Sequence, residues 1–483
     1  MPADISKEKA RAGFGPSHHS LANDLAGTFT EQHGSMRSRM ATGKALRDSV
    51  SRLSHGDFNR VDAVDPLAIL IDQARTRLPQ LVPIRHARML TSPFAFLRGS
   101  AAVMAADLAI SPTTGFYVQA CGDMHVSNFG VYGSAERRLI FAINDFDETL
   151  PGPWEWDVKR LAASAYVASA HLEGDKKNCQ DAAWAVVAGY QDHLRRYARM
   201  GYLETWYDCI DSDRVLKSLS SEARRRADTL FDKARTRTHL QVLEKMTDLV
   251  DDHHRIVEDR PFIVRERRTS TGRPIKEALG HFLLSYLDSL APERRLLLSH
   301  YRVLDVARKM VGVGSVGTGC WVILLQGEDS SDPLFLQIKE AQPSVLAPYL
   351  IPSSSKPNQG QRVVNGQRLI QGSSDIFLGW GELDGTHFYV RQLRDMKGGV
   401  DLEPGVAPDN FVEYCRLCGW GLALAHAKSG DPAMISGYIG KSDEFVETIV
   451  HFAGTYAEQT ERDYDTLVAA AKDGRLKVAA KGY

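Results

Sequence analysis

The spacing of apolar residues divides the chain into helical and strand-like stretches. Residues 1 to about 60 are rich in Ser, Gly, His, Arg and Lys, with weak periodicity. They predict a loosely ordered arm with one helix near Met40–Leu53. Asp65–Leu78 predicts a helix with Pro66 at its first position, where a missing N–H is no loss. Ser100–Ala109, small and apolar, predicts a buried helix ending at Ser111-Pro112. Two apolar runs follow, Gly115–Ala120 and Leu139–Ile143. Each predicts a strand that delivers polar groups at its end. After Pro151–Asp157 comes a helix with Val158, Leu161, Ala162 and Ala165 on one face. Asp157 stands where that helix begins, which predicts an N-cap or a residue that holds a neighbouring loop by its N–H groups.

From about 171 to 300 the pattern is helical and charged, with Asp181–Ala198, Ser221–Asp248 and Ile275–Leu290 as its helices. Between Val303 and Val400 the period shortens to that of strands. Val311–Leu325 predicts a glycine-rich turn running into a strand, Gln326–Pro333 a polar turn, and Leu334–Ala341 the returning strand. Gly360–Gly372 predicts a helix, and Asp375–Trp380 and His387–Leu393 two further strands. Phe411–Ala427 and Asp443–Asp473 predict closing helices. Phe445, Ile449, Phe452, Ala453 and Tyr456 form the apolar face of the second.

Length and composition narrow this picture. A chain of 483 residues is long for one core and predicts two lobes. An apolar fraction of 43% and a charged fraction of 25% are those of an ordinary globular protein. A net charge of −1 gives no reason to expect nucleic acid or an anionic membrane as partner. The basic runs Arg224–Arg226 and Arg265–Arg268 read as solvated faces. Six scattered cysteines predict a reducing compartment. Cys415 and Cys418 make a C-x-x-C without a second pair, so they read as helix residues. Met1–Lys7 has no apolar signal region, and no run of about eighteen apolar residues occurs. The expectation is a cytoplasmic protein outside the membrane.

The chemistry gathers in Cys121–Asn128 and Asn144–Glu148. Any one Asx residue there can cap a turn. Their joint spacing is what a magnesium–nucleotide phosphotransfer site requires: one carboxylate orients the accepting hydroxyl, while an amide and a second carboxylate hold the metal. The glycines from Gly312 to Gly319 add a second element. Backbone N–H groups approach phosphates only where side chains are absent, and Lys339 on the following strand can reach the α/β-phosphates. No Gly-Lys-Ser/Thr follows these glycines, and neither does a helix, so the Walker and Rossmann forms do not apply. Arg98, isolated among apolar residues, reads as an ion-paired surface residue or as a phosphate or carboxylate partner. His253 and His254 are adjacent and point apart on a helix, which makes a poor metal pair.

Gly122-Asp123-x-His125-x-x-Asn128, then Asp145-Phe146-Asp147, then Trp156-Asp157-x-x-Arg160-Leu161, resembles the catalytic core of aminoglycoside and choline kinase-like phosphotransferases. Gly312–Gly319 with Lys339 resembles the small lobe of the same superfamily. The order is reversed, so a kinase-like fold here is circularly permuted, which is tolerated when the old termini lie close together at the surface. Residues from about Leu81 to Tyr464 also resemble a bacterial family known as domain of unknown function 2252. Ser92–Phe96, Asn144–Pro153 and Arg391–Leu393 carry that match, which implies no activity.

The kinase-like resemblance implies an α+β, two-lobed, protein-kinase-like fold in permuted order. Residues 1–60 would be the arm. Residues 61–300 would form a helical large lobe carrying the catalytic and metal-binding loops, and 301–400 a small antiparallel β-lobe. Residues 401–483 would complete the large lobe. ATP and Mg²⁺ would be the cofactors, and an unknown small molecule or protein the acceptor, its specificity set within 171–300. Asp123 and His125 would be catalytic, and Asn128, Asp145 and Asp147 would face the metal. Gly312, Gly314, Ser315, Gly317, Lys339, Arg391 and Gln392 would bind the nucleotide. Asp157 and Arg98 would support them. Two departures stand out. Cys121 occupies a place where this superfamily often has His, and Gly360–Gly372 has no acid to pair with Lys339. Either Gln367, Glu340 or Asp375 substitutes, or the pair is absent. The departures leave open an ATP-binding scaffold or nucleotidyl transfer on the same fold. A metal-dependent phosphoesterase built on Asp123, His125, Asp145 and Asp147 is a further reading, which leaves Lys339 unexplained.

Overall fold

The computed structural model describes residues 34–61, 64–237, 239–250, 253–269, 272–310, 316–351, 357–393, 396–400 and 402–480. Gly312, Gly314 and Ser315 lie outside the described residues. The fold is mixed α+β, and its sheets are antiparallel.

A helical body forms around Lys176–Tyr197, which packs against Trp154–His171 and Pro408–Ser429. The second crossing is close because glycines face backbone. A Cβ on Gly419 would lie 2.1 Å from the Val186 carbonyl oxygen, and one on Gly189 would lie 2.6 Å from that of Arg416. A helical glycine costs about 1 kcal/mol relative to alanine. The close contact offsets that cost and explains why Gly419 does not end the helix. Glu444–Lys472 crosses Trp154–His171 and buries Phe445, Ile449, Phe452, Ala453 and Tyr456, the face its periodicity predicts.

Residues 34–60 are not a loose arm. The Met36–Ala45 helix lies on Pro432–Ile439. Arg47 donates to the carbonyls of Tyr438 and Gly437, both at 2.7 Å. The buried His55 ring nitrogen Nε2 lies 2.7 Å from Tyr438 Oη. Arginine and backbone contacts hold this stretch, so it has no apolar stripe to read.

The larger sheet has six antiparallel strands. Their spatial order is Gly379–Leu383, Thr386–Gln392, Pro333–Glu340, Cys320–Gln326, Arg302–Lys309 and Ile263–Val264. One face, with Ile323, Leu325, Leu336, Ile338, Phe388 and Val390, packs on the Ile275–Asp288 helix. Strand pairing puts Cys320, Lys339 and Tyr389 on the opposite face, with Gln337 and Arg391 beside them. Farther along that face, Val322, Leu324 and Phe335 are covered by Val242, Leu243 and Met246.

Those three covering residues belong to a helix the sequence pattern does not separate. The expected Ser221–Asp248 helix is two, Ser221–Thr236 and His239–Met246, followed by a hairpin of Thr247–Val250 and His253–Ile256. The second helix leaves the body to pack on the sheet, so the sheet unit recruits residues well before 301. The strand expected at Asp375–Trp380 begins only at Gly379, because Asp375 caps a turn by accepting from the Phe377 N–H at 2.8 Å. The Gln359–Ile370 helix follows the Lys339 strand and precedes the last two strands, with Asn358 as its cap. Among the described residues no helix is long and apolar enough to cross a membrane.

Candidate functional site

Two short β-pairs present the polar loops. Tyr117–Ala120 pairs with Leu150–Pro153, and Phe129–Gly133 pairs with Leu139–Ile143. The first loop leaves Ala120 through Gly122, whose φ is +77° and whose Cβ would meet the Glu148 carbonyl oxygen at 2.6 Å. Only glycine fits that turn without strain. Asp157, 1% exposed, accepts from the N–H groups of Cys121 at 2.7 Å and Gly122 at 3.0 Å. Its helix already starts at Trp154, so Asp157 braces the loop and is not the N-cap. His426 Nε2 lies 3.3 Å from the same carboxylate.

Within the loop, Arg160 donates to Asp123 Oδ1 through Nε at 3.0 Å and also through Nη2. The other oxygen, Oδ2, stands 3.9 Å from His125 Nε2. Asn128 donates its amide N–H to the Asp123 carbonyl at 2.6 Å, which leaves its amide oxygen for another partner. Burial, then Arg98 and Arg160, hold His125 well below the usual imidazole range, so it stays neutral. Burial beside Asp157 pushes the Cys121 thiol well up, which removes it as a nucleophile.

The second loop meets the sheet. Lys339 Nζ, 3% exposed, donates to Asp147 Oδ2 at 2.7 Å, and Tyr389 Oη donates to Asp147 Oδ1 at 2.6 Å. Both oxygens are thus engaged, and Asp147 serves as the counter-ion of Lys339. The partner of Lys339 is none of the three candidates. Glu340 accepts from the Gly319 N–H at 2.8 Å, Gln367 donates to Gln371 at 2.9 Å, and Asp375 accepts from the Gln392 N–H. From the helix that lacks an acid, Arg362 donates instead to the carbonyls of Asp147, Thr149 and Gln342 at 2.8, 2.6 and 2.8 Å.

Burial would raise the Asp147 carboxyl, but Lys339 outweighs it and holds the group below its ordinary value. Asp145 is pushed up by burial and by Asp147, and Lys339 and Arg391 offset this only in part. Burial also pushes Glu148 up to about 7, against a hydrogen bond from the Val345 N–H at 2.7 Å.

Asp123, His125, Asn128, Asp145, Asp147 and Arg98 all line one cleft of about 120 Å³. Thr318 and Glu340 close it from the sheet side. Gly317, with φ +93°, holds the end of the glycine turn there, and its carbonyl accepts from the Leu78 N–H at 2.8 Å. Arg391 and Gln392 are not in this cleft. They line a larger cavity of about 540 Å³ at the end of their strand, and Arg391 donates to the Asn144 carbonyl at 3.3 Å.

The cleft fits a hard cation on its donor chemistry. Asp145 is a carboxylate crowded by Asp147, and Asn128 keeps its amide oxygen for another partner in the same cleft. Magnesium takes one or two such protein oxygens and fills its shell with water and phosphate. Among the described residues no three His, Cys, Asp or Glu side chains converge as a metal cage. Substrate oxygens would therefore complete the shell. Sequence reasoning assigned no role to Arg160, Arg362 or Tyr389. Arg160 falls within the Trp156–Leu161 motif, and its helical spacing from Asp157 could have identified it.

Fold and cleft together define an α+β protein in which a helical body and an antiparallel sheet meet at a charged cleft, with a strand lysine paired to Asp147 on its wall. The chain belongs to the family described as an uncharacterized protein conserved in bacteria (DUF2252), whose model matches residues 77–470. No curated protein and no solved structure matches it.

Proposed function

We propose that this protein is a kinase-like phosphotransferase, using ATP and magnesium to phosphorylate a hydroxyl-bearing acceptor on a circularly permuted two-lobed scaffold. The observation that carries this reading is the meeting of Asp123, Asn128 and Asp145 with the Lys339–Asp147 pair, although a long helical stretch separates them in sequence. Lys339 stands on the strand that precedes a helix, and the glycine turn ends against that strand. A kinase-type site places its phosphate-binding lysine in this way. The grip of Asp157 on the loop backbone supports the same reading, since it fixes the loop before substrate arrives.

In this reading Asp123 Oδ2 accepts the proton of the acceptor hydroxyl, while Arg160 holds Oδ1 and so fixes the carboxylate. Asn128 and Asp145 would hold magnesium, which would neutralise charge on the transferred phosphoryl group. Lys339 exchanges Asp147 for nucleotide phosphate. Neutral His125 stays beside Asp123 as a positioning residue.

A second reading, an ATP-binding scaffold without turnover, is favoured by Cys121, which is buried where this superfamily often has His. The His239–Met246 helix covers the apolar strip next to Lys339, where a base would lie. Thermal-shift titration separates the readings. ATP with Mg²⁺ raises the melting temperature of the wild type, not that of Lys339→Ala, and less that of Asp145→Asn. Asp123→Ala keeps the shift and abolishes γ-phosphate transfer. A shift that never accompanies transfer to any hydroxyl acceptor selects the scaffold. No shift with any nucleotide and metal removes both readings. Phosphate release from a simple ester without ATP selects a phosphoesterase.

A further inference from the structure

Three arginines outside the two loops face the same cleft: Arg77, Arg85 and Arg98. They come from the helices and turns at 66–99, ahead of the first strand of the body. Arg85 is 1% exposed. Its Nη2 donates to the Gly99 carbonyl at 2.7 Å and approaches Gln73 Oε1 at 3.4 Å, while Nε and Nη1 are buried and have no partner among the described residues. The Nε groups of Arg77 and Arg98 are also buried, with no partner among the described residues. Arg77 Nη1 donates to the Val316 carbonyl at 2.6 Å, at the end of the glycine turn. The Arg98 guanidinium lies 5.8 Å from the Phe94 ring centroid.

Buried guanidinium N–H groups without acceptors are costly. Burial, then Arg77, push the Arg85 guanidinium down to about 9, and the more distant Asp123 and Glu148 offset this only in part. Folding does not itself require three such cations in one small cleft. An oxyanion between them would satisfy the open donors, because the planar fork of arginine matches phosphate oxygens. Phosphate, with three terminal oxygens, suits three convergent guanidiniums better than a carboxylate with two.

The geometry points to a phosphate receptor formed by Arg77, Arg85 and Arg98 beside Asp123, which takes a phosphate group carried by the acceptor. The acceptor class is then a phosphorylated molecule with a free hydroxyl near its phosphate. The receptor itself rests on the cleft. Its assignment to the acceptor rests on the phosphotransfer reading and on the place of Arg85 and Arg98 in the cleft that Asp123 lines. The other source of the same chemistry is the terminal phosphate of the nucleotide.

Calorimetric titration of the full chain with sodium phosphate, at fixed ionic strength and without nucleotide, tests the receptor. One phosphate binds per chain, acetate does not compete, and Arg85→Gln or Arg98→Gln weakens binding roughly 10- to 100-fold, the worth of one lost charge-assisted hydrogen bond. Arg98 is only partly buried, so Arg98→Gln keeps the test valid if Arg85→Gln fails to fold. Phosphate binding no tighter than acetate, or unchanged in a folded Arg98→Gln variant, overturns the receptor. A repeat with saturating non-hydrolysable ATP and Mg²⁺ identifies the source. Additive binding assigns the phosphate to the acceptor, and mutual exclusion overturns that assignment in favour of the nucleotide. Phosphate binding without any ATP binding leaves the receptor standing and removes the phosphotransfer reading alone.

Discussion

Lys339→Met removes one partner of a buried ion pair and leaves the other behind. The Lys339 side chain is 3% exposed and that of Asp147 is 25% exposed. After the change, Asp147 keeps the Tyr389 hydroxyl at 2.6 Å but loses the charge that offsets its burial and its neighbour Asp145. Breaking a buried pair from one side costs about 3–5 kcal/mol. Partial exposure of Asp147 lets water recover some of that, so about 2–4 kcal/mol is expected. Asp147→Asn alone leaves the Lys339 ammonium buried, with Asp145 and the Tyr389 ring at 5.3 Å as weaker partners, and costs a similar or smaller amount.

The double variant Lys339→Met/Asp147→Asn orphans neither charge. It should be less destabilised than the sum of the singles by about 1–3 kcal/mol. Urea unfolding of the four proteins, followed by tryptophan fluorescence and circular dichroism with equal slopes, gives this coupling directly. The coupling has a defined pH window. Lys339 holds the Asp147 carboxyl below its ordinary value, so the stabilisation is present above that ordinary value and is lost as pH falls through the lowered one. Additivity within about 0.5 kcal/mol at neutral pH would mean that the two side chains do not interact as described.

Further expectations concern the loop brace, a buried acid and the covering helix. Asp157→Asn should speed amide exchange at Cys121 and Gly122 about 10- to 100-fold, because one of two charge-assisted bonds is lost; unchanged exchange there contradicts the bracing role. Burial pushes the Glu155 carboxyl up to about 7, although Thr114 donates to it through N–H at 2.7 Å and Oγ1 at 2.6 Å. The folded chain therefore keeps a proton that the unfolded chain releases. Its contribution to stability is full below the ordinary carboxylate value and lost as pH rises to about 7. Glu155→Gln should flatten that part of the stability profile, and an unaltered slope refutes the assignment. Leu243→Ala, at a site 8% exposed, should destabilise by about 2–4 kcal/mol and tighten nucleotide binding by loosening the helix over Val322, Leu324 and Phe335. Affinity that stays the same or falls shows that the helix does not restrict the site.

Elements with a long, clean apolar period were legible in the chain. The Phe411–Ala427 and Asp443–Asp473 patterns fall within a few residues of Pro408–Ser429 and Glu444–Lys472. The helix at Pro66 was legible from its cap, since Asp65 accepts from the N–H groups of Leu67 and Ala68. Spacing failed where the partner surface changed. Val242, Leu243 and Met246 continue a helical pattern but pack on the sheet, so the break at 237 has no periodic mark. The density of Asx residues made Asp123, Asn128 and Asp145 stand out, and the structure brings them to one cleft. The pairing of Lys339 with Asp147 depends on how the sheet docks on the body, which no local spacing encodes. Arg98 stood out as a cation among apolar residues, whereas Arg77 and Arg85 were hidden for a related reason. In a helical stretch an arginine reads as solvated until burial strips its partners away.

The most direct test of the nucleotide reading is calorimetric titration of MgATP into the wild type, Lys339→Met and Asp145→Asn, each first shown to be folded. The expected result is binding of one nucleotide per chain that requires Mg²⁺ and weakens at least about tenfold in each variant, the loss of one charged contact. Absence of binding to the wild type, or equal affinity in all three proteins, contradicts it.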